Sequence, residues 1–401
     1  MDEGLRMDRR TAPMGTVLIS GAGIAGPAVA FWLNRYGFAV TVVEKASTVR
    51  DGGYPVDVRG TAVEVARRTG ILPALREAHI ETRRLTFLHA DGREVAAVHP
   101  QAVAGGVEGH DVELPRGRLM EILYGTVRDD VEFRYGDSID TLTEDGHGVD
   151  VVFRSGAQRR FDLVVGADGL HSHTRRLVFG PERRFHRYLG HCFTVFTLPN
   201  TWGFSHEGLI WNTPGRAAAL YAVEDSDQLY AFLTFAHPDP PERLRDPRDL
   251  VATTFAHDGW NIPAMVAALR RADDPFFDTV SQIHMPRWSR GRVALVGDAA
   301  HAPSFLTGQG TSLALVGAFM LARSLAEHRD HARAFATYER AIRSFVELNQ
   351  AEVGAGAAAL FPTTAEALEQ RNDRLRGLTT LPPAAARPAH TALTLPGSPP
   401  A

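Results

Sequence analysis

The apolar positions near the start of the chain change their period twice. A β-type run at residues 16–20 leads through a tight turn into a helical run at 24–36, and the chain then returns to a strand that ends at Glu44. The stretch 15–34 carries no charge and imitates a membrane span, but three spaced glycines and Pro27 interrupt it. We therefore predict a strand–turn–helix–strand unit here, and no membrane span.

Two kinds of strand pattern follow. Short alternating runs at 85–89 and 94–98 flank Asp91-Gly92 and predict a β-hairpin. Near-continuous apolar runs at 161–165 and 293–296 are typical of strands buried on both faces, as in a parallel sheet. Helices are predicted at 59–68, 116–127, 250–257, 263–271, from about Gly310 onward, and at 331–351.

The pattern changes over residues 188–236, where alternating runs are rich in aromatic residues and are separated by turn signals. This indicates an antiparallel sheet that forms a second layer. The predicted fold class is α/β: a Rossmann-like parallel sheet that binds a dinucleotide, an inserted antiparallel sheet for the substrate, and C-terminal helices. The predicted divisions are a flexible arm (1–14), the first part of the dinucleotide-binding domain (15–180), a mixed substrate-binding domain (181–285), the returning strand and helix (286–330), C-terminal helices (331–380) and a Pro/Ala-rich disordered tail (381–401).

Composition excludes several classes of function. A formal net charge of −4 over 401 residues argues against a nucleic-acid binder, which is usually basic. The single cysteine, Cys192, cannot form an intrachain disulfide, and the 17 histidines show no ligand spacing, so we predict no metal site. These features favour a cytoplasmic enzyme that acts on a small molecule. We expect a monomer or a homodimer.

The first motif that carries chemistry is Gly21-Ala22-Gly23-Ile24-Ala25-Gly26, which follows a strand and opens a helix. Glycines at these spacings permit a tight turn, a close approach of a pyrophosphate and packing of the helix on the strand. Glu44 lies about 20 residues further on, where a carboxylate accepts hydrogen bonds from a ribose. This motif predicts a dinucleotide site but does not distinguish NAD from FAD.

Two later strands end in motifs of the same kind. One runs into Gly166-Ala167-Asp168-Gly169, where Asp168 alone could simply cap the next helix. The other ends at Gly297-Asp298 and continues through a loop to Gly308-Gln309-Gly310. Asp298 could accept a hydrogen bond from a ribityl hydroxyl, and the helix start near Gly310 could direct backbone N–H groups at an anionic flavin ring. Together the three motifs predict FAD.

The combination GAGIAG…E, GADGLHSHTRR and RVALVGDAAHAP…GQGTSLAL resembles the FAD-dependent aromatic-ring hydroxylases over residues 16–325. These are single-component flavoprotein monooxygenases similar to p-hydroxybenzoate hydroxylase and the tetracycline-inactivating monooxygenases. The resemblance implies a set of residues that contact FAD: Gly21, Gly23, Ile24, Ala25, Gly26, Glu44, Lys45, Asp57, Arg116, Asp168, Asp298, Gly308, Gly310, Thr311 and Ser312. It also makes Arg50 a candidate for the phosphate of NADPH.

The chain departs from the family pattern at two places. Relatives often carry proline where this chain has Ser304-Phe305, so the wall beside the flavin is expected to be bulkier here. Relatives also often carry asparagine at the position of Ser312, which puts the hydrogen bond from that position to the flavin in question.

The resemblance further implies that NADPH or NADH reduces FAD, that O2 then forms a flavin C4a-hydroperoxide, and that one oxygen atom passes to an aromatic or polyketide-like substrate. The candidate pocket residues are Phe193, Val195, Trp211, Tyr221, Phe232 and Phe305. No catalytic side chain is assigned, because the flavin carries the chemistry. His301 is a weak candidate for a base and is better explained as a residue that supports the Asp298 loop.

Other functions remain compatible with the sequence. A Baeyer–Villiger or epoxidising monooxygenase would use the same fold, and a non-catalytic flavin-binding protein draws some support from Ser304-Phe305. An NAD-linked dehydrogenase would be colourless rather than yellow. A flavin halogenase needs an active-site lysine, and Lys45, the only lysine in the chain, lies at the end of a cofactor strand and cannot serve.

Overall fold

The computed structural model describes residues 13–48, 54–104, 110–222, 226–241, 247–273, 275–378 and 387–397. In this part of the chain the strands are β1 (Thr16–Ser20), β2 (Ala39–Glu44), β3 (Pro55–Val58), β4 (Arg84–Leu88), β5 (Glu94–Val98), β6 (Val112–Pro115), β7 (Glu132–Tyr135), β8 (Ile139–Glu144), β9 (Val149–Phe153), β10 (Gln158–Phe161), β11 (Leu163–Gly166), β12 (His186–Pro199), β13 (Glu207–Thr213), β14 (Arg216–Ala222), β15 (Gln228–Ala236), β16 (Phe276–Ile283), β17 (Ser289–Arg290) and β18 (Val293–Leu295).

The helices of the same residues are α1 (Ala25–Arg35), α2 (Thr61–Thr69), α3 (Leu72–Glu77), α4 (Pro100–Ala104), α5 (Arg116–Gly125), α6 (His173–Phe179), α7 (Pro247–Thr254), α8 (Ile262–Arg271), α9 (Asp298–His301), α10 (Gly310–Glu327), α11 (His331–Ala351), α12 (Val353–Leu360), α13 (Ala365–Arg376) and α14 (Pro388–Thr391). Short 3₁₀ turns lie at Glu182–Arg184 and Phe305–Thr307.

A six-stranded sheet forms the first layer, in the order β17-β18-β11-β1-β2-β7. Five of its strands run parallel, and only the edge strand β17 is antiparallel to its neighbour. Its central strands are rich in valine, leucine and isoleucine that are fully buried, as expected for a sheet covered on both faces. This confirms the predicted α/β fold with a parallel sheet.

Helices α1 and α10 cover one face of this sheet. Trp32 of α1 meets Phe319 of α10 edge-to-face, with 4.9 Å between the ring centroids. Nearly every residue of α10 is buried, because α1, α2 and α11 surround it. Such a helix needs apolar or small residues on all sides, which the sequence of α10 supplies.

A seven-stranded sheet forms the second layer, in the order β16-β12-β15-β14-β13-β4-β5. The hairpin β4–β5 forms where the sequence predicts it and joins this sheet through a parallel pairing of β4 with β13. Helices α7 and α8 pack on one face, against side chains such as Phe196, Leu220 and Phe235. Because side chains alternate along a strand, the intervening residues face the first layer.

The C-terminal helices connect the two layers. Arg371 of α13 is buried, and its Nη2 atom donates to the side-chain oxygen of Asn212 on β13 at 2.8 Å. The Gly356 position of α12 is so close to the 3₁₀ turn that a Cβ there would lie 2.1 Å from the Leu306 carbonyl oxygen. None of the helices in the described ranges has the length and apolar character needed to cross a membrane.

The last described segment, 387–397, corrects the expectation of a tail that is disordered throughout. His390 is buried, and the Asn349 side chain donates to the Ala389 carbonyl oxygen at 3.0 Å. The Thr61 hydroxyl of α2 donates to the Leu393 carbonyl oxygen at 2.8 Å. This Pro/Ala-rich segment is thus held against the protein by packing of its side chains and by hydrogen bonds to its backbone carbonyls. Its composition does not reveal these contacts.

Candidate active site

Three loops meet at the carboxyl-terminal edge of the parallel sheet. Strands β1, β11 and β18 lie side by side and end at Ser20, Gly166 and Leu295. The loop after β1 touches the loop after β11, since a Cβ at Gly21 would lie 2.6 Å from the Ala167 carbonyl oxygen. The loop after β18 touches the start of α1, since a Cβ at Gly297 would lie 3.0 Å from the Cβ of Ala25. The three sequence motifs therefore form one site.

The first glycine motif makes the tight turn that its spacing predicts. Gly21 has a φ of 105°, a conformation that strongly favours glycine. A Cβ at Gly26 would lie 1.9 Å from the Gly21 carbonyl oxygen, so only glycine lets the first turn of α1 pack on the loop. Gly23 lies further out, on the side that faces α5.

Glu44 holds this loop from the end of β2. Its carboxylate accepts hydrogen bonds from the backbone N–H of Ala22 at 2.8 Å and of Ala46 at 2.9 Å. Lys45 is exposed directly after it. Glu44 is thus placed beside the glycine loop, as predicted, and it also fixes the conformation of that loop.

Helices α1 and α10 both begin without a side-chain cap. Helix α1 begins after Ile24, and α10 begins after Gln309, and neither has an acidic residue in its first turn. Their free N–H groups and positive dipole ends suit an anionic ligand. The side-chain amide of Gln309 is also fully buried without a hydrogen-bond partner among the described residues. Buried amide groups are normally hydrogen-bonded, so we expect this one to bind a polar group of a ligand at the start of α10.

A cleft lies between these elements. Asp298 is accessible to solvent, yet burial raises its pKa against the opposing effect of Arg116, so its carboxyl group sits at the base of a concave surface. A Cβ at Gly310 would lie 3.8 Å from the Asp298 Oδ1 atom. Tyr54, which the sequence analysis did not single out, belongs to the same cleft, because burial raises its pKa to about 12 while Arg116 opposes the shift and Asp298 adds to it.

Arg116 is the cation of this cleft. Its Nη2 atom lies 3.9 Å from the Cβ position of Gly23. It makes no ion pair or hydrogen bond with any residue in the described ranges, although it is half-buried. A half-buried guanidinium without a carboxylate is stabilised when an anionic ligand binds beside it.

Asp57 lies on the far side of the cleft, in the β3–β6 pair. Its Oδ2 atom is 3.2 Å from the Cβ position of Gly308, and its Oδ1 atom accepts from the Arg59 Nη2 atom at 2.7 Å. Gly308 has a φ of 64°, in the left-handed region. Asp57, Gly308 and Gly310 are therefore brought together as predicted.

Two of the predicted cofactor contacts, Asp168 and Ser312, have hydrogen-bond partners within the protein. The Asp168 carboxylate accepts from the Ser172 hydroxyl and from the backbone N–H and hydroxyl of Thr174, which is the capping role that its motif alone allows. The Ser312 hydroxyl is fully buried; it accepts from the Arg59 backbone N–H at 3.1 Å and donates to the Asp57 carbonyl oxygen. Ser312 thus joins α10 to β3, and its neighbour Thr311 is buried as well.

Four of the predicted pocket residues lie in one apolar cluster on the inner face of the second sheet: Phe193, Val195, Phe232 and Phe305. The ring centroids of Phe193 and Phe305 are 4.6 Å apart. Tyr54 packs against Phe232 at 6.0 Å and so connects this aromatic wall to the cofactor cleft.

Trp211 is not a pocket residue. It is fully buried in the other cluster of the second sheet, under α7 and α8, and its indole N–H donates to the Ala90 carbonyl oxygen at 3.0 Å. Side chains alternate between the two faces of each strand. Trp211 on β13 faces α7 and α8, whereas Phe193 on β12 faces the other side. The sequence does not show which face each residue takes. Tyr221 does face the inner side, where its hydroxyl bonds Thr82.

His301 lies in the interior rather than in the cleft, which corrects its candidacy as a base. Its ring packs 4.8 Å from Trp288, its Nε2 atom is 3.5 Å from the Tyr338 hydroxyl, and burial lowers its pKa to about 3. His301 and Arg343 line a cavity of about 240 Å³. None of the cleft residues named above lines this cavity. The NADPH candidate Arg50 lies outside the described residues.

These residues fit FAD. The glycine loop and the α1 N-terminus would hold the pyrophosphate, Glu44 the adenosine ribose and Asp298 the ribityl chain. The α10 N-terminus would face the anionic edge of the flavin ring. Arg116, unpaired in the cleft, supplies the positive charge that the cofactor's phosphates or reduced ring require.

Comparison with known proteins gives the same assignment. Residues 14–351 match the family model described as FAD binding domain. The chain is 38% identical over 369 residues to a flavin-dependent monooxygenase from an unknown prokaryotic organism, covering 90% of this chain and 95% of the relative. It is 43% identical over 347 residues to an uncharacterized protein of Mycobacterium tuberculosis, covering 84% and 92%. The crystal structure of the tetracycline destructase Tet(55) superposes with a TM-score of 0.82 at 36% identity, covering 95% of this chain and 98% of that one.

The chain therefore belongs to the FAD-binding family of flavoprotein monooxygenases of the aromatic-hydroxylase type. It is an FAD-dependent oxidoreductase.

Proposed function

We propose that this monooxygenase uses NADPH or NADH and O2 to hydroxylate a planar aromatic or polyketide-like small molecule. Bound FAD would supply the redox chemistry, accepting a hydride and then activating O2. The residues of this chain bind the cofactor, exclude water and orient the substrate. The similarity to a tetracycline destructase supports a polycyclic substrate, because the name of that relative states the kind of molecule on which it acts.

One observation carries the proposal: Tyr54 lies between the aromatic wall and the cofactor cleft. Its ring packs on Phe232, while its hydroxyl is influenced by Arg116 and Asp298. A planar substrate bound against this wall would present its edge to the flavin. Phe305 supports the same geometry, because it belongs to the loop that joins Asp298 to Gly310 and packs on Phe193.

The test uses the purified FAD-loaded protein. NADPH and NADH oxidation is measured in air without substrate and with a panel of phenols, naphthols, anthraquinones and tetracyclines. We expect a polycyclic member to stimulate oxidation and to gain one oxygen atom, as found by mass spectrometry. Oxidation that no member stimulates, with every compound recovered unchanged, would refute the proposed substrate class.

The same assay separates hydroxylation from its nearest alternative. A hydroxylated ring and a ring expanded by Baeyer–Villiger insertion have equal masses, but NMR of the product distinguishes a new phenol from a new ester. Epoxidation gives a third pattern. The wall is lined by aromatic rings: Phe193 contacts Phe305, and Phe232 contacts Tyr54. This lining favours hydroxylation of a flat ring.

A further inference from the structure

A half-buried acid faces Asp57 across the β3–β6 pair. The two strands are antiparallel, and Glu113 is the direct cross-strand partner of Asp57. Residues opposed in this way have their Cβ atoms about 4.5–5.5 Å apart, so the two carboxyl groups share one small region. Asp57 reaches toward Gly308 of the cofactor loop, which places Glu113 one side chain behind the cleft.

Hydroxyl groups connect Glu113 to the surface of the protein. The Tyr221 hydroxyl, on β14, bonds the Thr82 hydroxyl, and it lies close enough to the Glu113 carboxyl group for each to shift the pKa of the other. Thr82 points inward from a surface segment, because Glu81 and Arg83 on either side of it are exposed. The line Thr82–Tyr221–Glu113–Asp57 therefore runs from just beneath the surface to the cofactor cleft through groups that can all carry a proton.

The charges around Glu113 make it a proton acceptor near neutral pH. Burial, and then the neighbouring Asp57 carboxylate, raise its pKa to about 7, while the Tyr221 hydroxyl and the Arg59 guanidinium oppose the shift. Asp111 and the His79 ring, which bonds the Glu113 backbone, are the other titratable groups close to this pair.

We propose that the Glu113 carboxyl group holds the proton that the monooxygenase reaction takes up, is refilled from solvent through Thr82 and Tyr221, and delivers the proton toward the flavin by way of Asp57. This inference rests on the proposed function. Each turnover consumes NAD(P)H, O2, one proton and the substrate C–H bond, and yields NAD(P)⁺, the hydroxylated product and water. The hydride supplies the two electrons, and Glu113 Oε supplies the proton. A carboxyl group beside the cleft that is protonated near neutral pH can supply this proton directly.

The test follows the oxygen reaction without NAD(P)H or substrate. FAD-loaded protein is photoreduced under anaerobic conditions and mixed with O2, and flavin absorbance is recorded between pH 5.5 and 9. Reoxidation to FAD and hydrogen peroxide also consumes one proton. We expect the wild-type rate to fall as pH rises through neutrality, and Glu113→Gln to react roughly 100-fold more slowly with no inflection in that range.

Matched variants locate the effect. Tyr221→Phe and Thr82→Val interrupt the line and should slow reoxidation, whereas Tyr230→Phe, one strand away and opposite Tyr221, should not. Glu132→Gln, on the surface strand β7, controls for the loss of a carboxylate. If Glu113→Gln fails to fold, Tyr221→Phe and Thr82→Val decide the matter.

A second measurement does not involve the flavin reaction at all. Infrared titration of the holoenzyme should show a carboxylic acid band that disappears near pH 7 in the wild type and is missing in Glu113→Gln. The inference is overturned if Tyr221→Phe and Thr82→Val both reoxidise at the wild-type rate. It is also overturned if the Glu113 band titrates near the ordinary pKa of a glutamate. Failure of the wild type to oxidise NAD(P)H would refute the proposed function alone, because photoreduction still tests Glu113.

Discussion

The Arg116 Nη2 atom lies 3.9 Å from the Cβ position of Gly23, so the first residue of α5 faces the glycine loop that follows β1. Arg116 has no carboxylate partner in the described chain, although it is half-buried. An anionic cofactor would supply the hydrogen-bond acceptors and the negative charge that its guanidinium group lacks.

Replacing Arg116 with alanine should therefore weaken FAD binding. A hydrogen bond to a charged group contributes about 1.5–3 kcal/mol, which corresponds to a roughly 10- to 100-fold increase in the Kd for FAD. Titration of apoprotein with FAD, followed by flavin fluorescence, measures this. The matched control is Arg118→Ala, because Arg118 is exposed on the same helix and, among the described residues, pairs only with Glu121. Equal Kd values for both variants would contradict the role of Arg116.

The Gly26 position should tolerate no side chain. Alanine there would place its Cβ 1.9 Å from the Gly21 carbonyl oxygen, so α1 must move away from the loop. We expect Gly26→Ala to lower the free energy of unfolding by more than about 2 kcal/mol and to impair FAD uptake. Gly125→Ala is the control: no atom lies within 4 Å of its Cβ position, and alanine in a helix should raise stability by up to about 1 kcal/mol. Thermal unfolding with and without FAD distinguishes the two variants.

The two faces of the second sheet should respond differently to substitution. Phe232→Leu alters the aromatic wall and should raise the KM for a polycyclic substrate several-fold, with little effect on thermal stability. Trp211→Phe leaves the wall intact but removes the hydrogen bond to Ala90 and part of a buried ring, so it should destabilise the fold by about 1–3 kcal/mol. An unchanged KM in Phe232→Leu together with a raised KM in Trp211→Phe would reverse the assignment of the faces.

The C-terminal segment should make stability depend on pH. Burial, and then Arg59 and Arg387, lower the pKa of His390 to about 4. The unfolded chain binds this proton below about pH 6.5 and the folded chain does not until about pH 4, so the free energy of unfolding falls as the pH is lowered across that window. The full effect is on the order of 3 kcal/mol.

Urea unfolding at pH 7.5 and pH 4.5 measures this contribution. His390→Phe should lose less stability on acidification than the wild type, and the substitution sacrifices no hydrogen bond, because neither ring nitrogen has a partner in the described chain. His147→Gln, in an exposed turn, should retain the wild-type dependence. An identical pH response in all three proteins would mean that His390 titrates normally and that the segment is not docked in solution.

The sequence contains enough information to place the cofactor site but not all of its contacts. Loops that follow buried parallel strands must lie at one edge of the sheet, and Gly21 and Asp298 follow β1 and β18 there. The partners of individual side chains depend on tertiary packing, which periodicity does not encode. Asp168 and Ser312 are the examples, since each satisfies neighbouring backbone or hydroxyl groups within the protein.

Tyr54 and Glu113 were missed for a related reason. Neither belongs to a recognisable motif, and their chemistry arises from burial and from neighbours on other strands. A signal for Glu113 was nevertheless present: an acidic residue in the short β-run just before Arg116 is unusual, because such a run is expected to bury apolar side chains. Trp211 shows the converse, since alternation gives two faces but does not reveal which of them covers the flavin.

The parallel sheet draws adjacent strands from opposite ends of the polypeptide. Strand β11 is flanked on one side by β1, which starts at Thr16, and on the other by β18, which starts at Val293. During synthesis, the chain up to Val293 must leave the ribosome with one edge of β11 uncovered. The three strands that end in the cofactor motifs can lie side by side only after β18 has been synthesised, and until then the uncovered edge of β11 is open to aggregation or proteolysis.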